Sequence, residues 1–161
     1  MKFLALITFS VLIAFSFAIK VQHTTAKDPF AEQADSKIAL PWGITSTKVH
    51  VKEETVLLIS LYGNARDGKY WRLKNEEEIK TTWGIEPMNM DENKSAPYIS
   101  MDNISGSRKF KQKETWKFLF KMGKVPANGE PAIIKLAYST TFEAEPEQHM
   151  DVHIVVHPKE E

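Results

Sequence analysis

Near the C-terminus, His149, Asp151, His153 and His157 alternate with apolar residues and share one face of an expected strand. Imidazole and carboxylate in that arrangement are the side chains that hold a transition metal. A strand rises about 3.3 Å per residue, so His149 and His157 stand ~26 Å apart. Only neighbours such as Asp151 and His153 can share an ion, and two ligands make a weak site. The face reads as solvated, and no metal is expected. The chain has no cysteine, which excludes a thiolate metal site and a cysteine nucleophile. It contains no Gly-x-Ser-x-Gly elbow and no glycine-rich phosphate loop. The run Glu76-Glu77-Glu78 reads as hydrated surface rather than paired catalytic acids. No enzyme and no cofactor are expected.

The turn Gly63-Asn-Ala-Arg-Asp-Gly68 is more informative. Asn, Asp and Gly accept tight or left-handed backbone, which suits a short connection between two strands. Trp71 follows three residues after Gly68, where an inward aromatic pins the base of the loop.

The segments that carry this turn have a period of two. Val49 and Val51 alternate with Lys48, His50 and Lys52, and Thr55 to Leu61 reads as a largely buried strand. Tyr70 to Leu73 is the next. Trp116, Phe118 and Phe120 then alternate with Lys117, Leu119 and Lys121. Ala132, Ile134, Leu136 and Tyr138 repeat the pattern, and Met150, Val152, Ile154 and Val156 close it. Alternation sets one apolar face on a core and one polar face in water. Several short strands separated by turn clusters indicate an all-β sandwich. Leu57, Ile59, Trp71, Phe118, Ile134, Leu136 and Ile154 are expected to share its core. Lys74 to Thr82 breaks the pattern and reads as a short helix or an acidic loop, while Trp83 to Gly106 has loop composition.

Residues 1–18 read as a signal peptide: a basic start at Lys2, an apolar run from Phe3 to Phe17, and small Ser16 and Ala18 at the cleavage positions. The run is shorter than the roughly 20 apolar residues of a membrane span. Export and cleavage after Ala18 are therefore expected, with a secreted or endolysosomal protein and no membrane association afterwards. Residues 19–44 are polar and aperiodic and read as a leader or a loosely docked N-terminal arm, before a domain over 45–158. The 161-residue chain balances 21 basic against 21 acidic side chains, and removing Lys2 shifts this by one. Nucleic acid, which calls for a basic face, is not an expected partner. Asn93-Lys-Ser95 and Asn103-Ile-Ser105 are glycosylation sequons, so Asn93 and Asn103 are expected at the surface.

With these residues in view, the sequence resembles the chagasin family, small immunoglobulin-like sandwich inhibitors of papain-like cysteine proteases. The family's first signature loop is Asn-Pro-Thr-Thr-Gly-Tyr/Phe-x-Trp after a strand of the form Val-x-Ile-x-Leu. Here Val56 to Leu61 leads into Asn64 to Trp71, with Asn64, Gly68 and Trp71 in register. Trp116 to Phe120 looks like the family's aromatic strand, and Ala132 to Tyr138 like the strand ending in Tyr. Thr140, Thr141 and Phe142 stand where an Arg-Pro-Trp/Phe signature normally begins. Ala65, Arg66 and Asp67 replace Pro-Thr-Thr, Lys69 replaces an aromatic, and the middle Gly-rich loop falls near Gly106, Ser107, Arg108 and Lys109.

The resemblance covers residues 46 to 157 and implies an immunoglobulin-like antiparallel sandwich of about seven strands. It also implies a monomeric, reversible inhibitor whose three loops, 64–69, 106–109 and 140–142, fill the cleft of a papain-like cysteine protease. Trp71 and Tyr138 would brace those loops. The alternatives on the same scaffold are a non-inhibitory binding or adhesion domain, or a carrier that escorts proteases.

Overall fold

The computed structural model describes residues 28–63, 68–100, 114–124, 126 and 129–159. The expected signal peptide, Asn103 and most of two expected loops lie outside them. Two sheets build the body. One is ordered β1 (Ser36–Leu40), β3 (Val56–Gly63), β7 (Glu114–Lys121), β5 (Glu86–Pro87), with β6 (Tyr98–Ser100) also on β7. The other is ordered β2 (Ser46–Lys52), β9 (Gln148–His157), β8 (Ala132–Ser139), β4 (Tyr70–Leu73).

Register explains the core. Leu57, Ile59 and Leu61 of β3 stand opposite Phe120, Phe118 and Trp116 of β7. Ala132, Ile134 and Leu136 of β8 face Ile154, Val152 and Met150 of β9. With a side-chain period of two, every one of these points to the same side of its sheet, and all are at most 1% exposed. The seven expected core residues all belong to this cluster. Truncating Phe118 in such a setting costs about 3–5 kcal/mol.

Three features differ from the sequence reading. The sheets are not purely antiparallel, because β1 pairs parallel with β3 and β2 parallel with β9. The described residues hold nine strands rather than about seven, since β1 and the short β5 and β6 join the sheets. Of the stretch expected as a leader or loosely docked N-terminal arm, residues 28–44 include β1, which joins a sheet as its edge. Asp28 caps α1 (Pro29–Gln33) by accepting from the Phe30 N–H at 3.2 Å, and Lys117 of β7 pairs with its carboxylate. Asp35 both donates its N–H to the Val56 carbonyl (2.9 Å) and accepts from the Val56 N–H through its carboxylate (2.8 Å). Backbone pairing with β3 and these side-chain bonds hold this edge, with Leu40 in the core and Ile38 packed against it.

The ambiguous acidic stretch is a helix, α2 (Glu76–Trp83), which buries Ile79 and ends at Gly84 in the left-handed region, φ 61°. Before it, Asn75 extends the β4 ladder with its side chain. Its amide donates to the Ile133 carbonyl at 2.8 Å and its oxygen accepts from the Lys135 N–H at 2.9 Å. Among the described residues, no helix is long and apolar enough to cross a membrane.

Candidate functional site: one end of the sandwich

Strand pairing brings the stems of the three expected loops together. Gly63, where β3 ends and segment 64–69 begins, is opposite Glu114 at the start of β7. Ser100, the last residue of β6, is also opposite Glu114, so segment 101–113 leaves and returns at the same place. Tyr70, where segment 64–69 ends, is opposite Ser139, where β8 gives way to segment 140–147. The two sheet ends coincide, because the Trp71 indole N–H donates across to the Tyr62 carbonyl at 3.1 Å.

An aromatic cluster underlies this end. Trp71 and Tyr138, both 1% exposed, have ring centroids 5.5 Å apart, and Trp116 lies 5.6 Å from Tyr138 at 77°. A side chain at Gly63 would meet the Trp116 ring at 2.7 Å and the Tyr138 ring at 3.1 Å. The chain therefore crosses from β3 into the first loop directly over buried aromatic edges.

Of the expected contact residues, Asn64, Ala65, Arg66, Asp67, Gly106, Ser107, Arg108 and Lys109 lie outside the described residues. Gly68 adopts φ +64°, the left-handed backbone its residue type permits. The Lys69 ammonium pairs with Glu147, joining the end of the first loop to the end of the third. Thr140, Thr141 and Phe142 are exposed, and the loop they begin lies back against β4. The Arg72 guanidinium donates to the Thr140 carbonyl at 2.9 Å and to the Ser95 hydroxyl at 2.5 Å. Lys74 donates to the Phe142 carbonyl and sits 3.9 Å from the centroid of its ring, with Lys94 at 5.9 Å. Phe142 thus keeps 37% exposure while resting on two ammonium groups.

Arg72, Lys74 and Glu147 escaped the sequence reading, since nothing in a strand of the form Tyr-Trp-Arg-Leu announces a partner 68 residues away. The expected sequon at Asn93 is divided between surface and interior. Asn93 is exposed, whereas the Ser95 hydroxyl is buried on Arg72.

The histidine face has a partner on the neighbouring strand. His157 Nε2 lies 2.8 Å from His50 Nδ1, with ring centroids 5.1 Å apart and planes 16° from parallel. The two nitrogens meet head to head as in a shared N–H···N bond. Among the described residues, no group of three or more His, Cys, Asp or Glu is placed to hold a metal ion.

No family model matches the sequence, and neither does any curated protein. Solved structures do. The chain is similar to a cysteine protease inhibitor, EhICP2, from Entamoeba histolytica, at 18% identity and a TM-score of 0.42, over 76% of this chain and 96% of that one. It is similar to Amebosin at 13% identity and 0.49, over 74% and 96%. It is similar to PbICP-C, solved in complex with falcipain-2, at 17% identity and 0.44, over 76% and 99%.

Proposed function

We propose that this protein is an exported, monomeric, reversible inhibitor of papain-like cysteine proteases, which presents the loops 64–69, 106–109 and 140–142 to the protease cleft. The observation that carries the reading is the convergence of three loop stems at one end of the sandwich, over the Trp71–Tyr138–Trp116 cluster. Loops rooted on a rigid base lose little freedom on binding, which favours affinity. The in-register Asn64, Gly68 and Trp71 support the same assignment.

A non-inhibitory binding domain is the second reading, favoured by the charges of Arg66 and Asp67. Burying a charge at a catalytic centre is costly without a partner. Purified protein beginning at Ile19, titrated against a panel of papain-like cysteine proteases and one serine protease, separates the two. Reversible inhibition of at least one papain-like enzyme, with the serine protease untouched, is the expected outcome. No inhibition at micromolar concentration leaves the binding domain. Mass spectrometry of exported material is expected to find an N-terminus within a few residues of Ile19, and intact Met1 in a membrane fraction would contradict export.

A further inference from the structure

The loop end of the sandwich carries another element. β1 runs parallel to β3 and stops at Leu40 opposite Leu61, close to where β3 ends. β2 begins at Ser46 opposite Asp151, close to where β9 begins. The connection over 41–45 therefore passes from one sheet to the other across the end where the three loop stems converge. Gly43 turns it at φ +91°. The Ile44 carbonyl accepts from the Gln148 side-chain amide at 3.1 Å, and the Thr45 carbonyl from the Asp151 N–H at 2.9 Å.

This crossing displays Trp42 and Ile44, 46% and 37% exposed. The Trp42 ring meets Tyr138 edge-on at 5.1 Å and 88°, and Trp71 at 6.2 Å and 69°. It thus continues the buried aromatic cluster outward into solvent. A residue needed only to close the core would hide its ring; this one is held on one side and open on the other. Tryptophan so placed has the properties of a binding hot spot: large apolar area, restricted motion and a rigid base.

We infer that Trp42, with Ile44 beside it, is a further contact element of the inhibitor, and docks on an apolar patch at the rim of the protease cleft. The inference rests on the proposed function. The partner is the same protease, because Trp42 packs on the two aromatics that underlie the first and third loops and so shares their end of the molecule.

Inhibition constants and urea denaturation, measured together on Trp42→Ala and Ile44→Asp, test it. Trp42→Ala is expected to raise the inhibition constant about thirtyfold. Ile44 has an exposed side chain and a tethered carbonyl, so Ile44→Asp is expected to raise it about tenfold with an unchanged denaturation midpoint. The second variant keeps the test decisive if the first folds poorly. Inhibition within twofold of the parent in Ile44→Asp, and in Trp42→Ala where it folds, overturns the inference and makes Trp42 a cover for the core. If the parent inhibits no papain-like protease, the function itself fails, a result distinct from unchanged constants in the variants.

Discussion

The ammonium of Lys69 and the carboxylate of Glu147 form an ion pair between residues 78 apart in sequence. One sits just before β4 and the other just before β9, so the pair closes the ends of two loops on one another. Both are partly exposed, at 28% and 46%. A pair so hydrated contributes less than ~1 kcal/mol to stability. Its consequence is local. Glu147→Gln is expected to leave the denaturation midpoint nearly unchanged while speeding amide exchange at Gly68 and Lys69. Unchanged exchange rates there would deny the pair any part in ordering the loop.

Gly63 admits no side chain. A Cβ there would come 2.7 Å from the Trp116 ring, which is itself fully buried and cannot swing away. Gly63→Ala is expected to cost about 1–3 kcal/mol through this overlap. Urea denaturation measures it, and a neutral result would mean that the aromatic cluster shifts to make room.

The central sandwich was legible where its strands keep a period of two, as Met150, Val152, Ile154 and Val156 of β9 do against His149, Asp151, His153 and Val155. The edge strand β1 was not. Ser36-Lys-Ile-Ala-Leu40 is short and half-exposed, and its place comes from parallel pairing with β3 and the Asp35–Val56 bonds, neither of which leaves a local pattern. Leu119 also breaks the simple alternation of β7, being buried on the face that holds Lys117. At the candidate site, Gly68 and Trp71 were visible as turn chemistry and a braced aromatic. Trp42 had a signal of its own, an aromatic between Pro41 and Gly43, but a sheet-to-sheet crossing cannot be read from residue order.

Arg72 is 7% exposed and acts through its fork, with one nitrogen on the Ser95 hydroxyl and another on the Thr140 carbonyl. Lysine brings a single point charge and cannot span both acceptors. Arg72→Lys and Arg72→Met are each expected to destabilise by about 1–3 kcal/mol, since a buried acceptor loses its donor in both. Full retention of stability in Arg72→Lys would show that the charge alone suffices.

Acid should weaken the protein through Glu76. The hydrogen bond from Lys80 is the strongest influence on its carboxyl; against the opposing effect of burial, and with Lys94 adding a second contact, it holds the group below the ordinary 4.5. The unfolded chain binds this proton more readily than the folded one. The stabilisation is therefore present above 4.5 and is lost as pH falls through the lowered folded value. Denaturation midpoints of the parent should decline below that point, and Glu76→Gln should decline less steeply. Parallel curves for the two proteins would remove Glu76 from the acid response.

Phe142 offers the sharpest division between fold and function. Its ring is open to solvent on one side, while the Lys74 ammonium lies 3.9 Å from the ring centroid and donates to the Phe142 carbonyl. Little of the core depends on it, so Phe142→Ala is expected to shift the denaturation midpoint only slightly. In the proposed function it is a contact residue, and its truncation should then weaken inhibition roughly thirtyfold. Phe142→Leu, which keeps apolar area but loses the ring face offered to Lys74, should fall between the two. The central loop supplies the control. Ala65→Pro with Arg66→Thr and Asp67→Thr restores the chagasin-type sequence and removes two charges from the loop that the proposed function places in the cleft, so inhibition should tighten or hold. An unaltered inhibition constant in Phe142→Ala, with tightening in the restored loop, would confine the contact to the first loop. Inhibition by the restored loop alone, with none by the parent, would mean that the scaffold has kept its shape and given up the cleft.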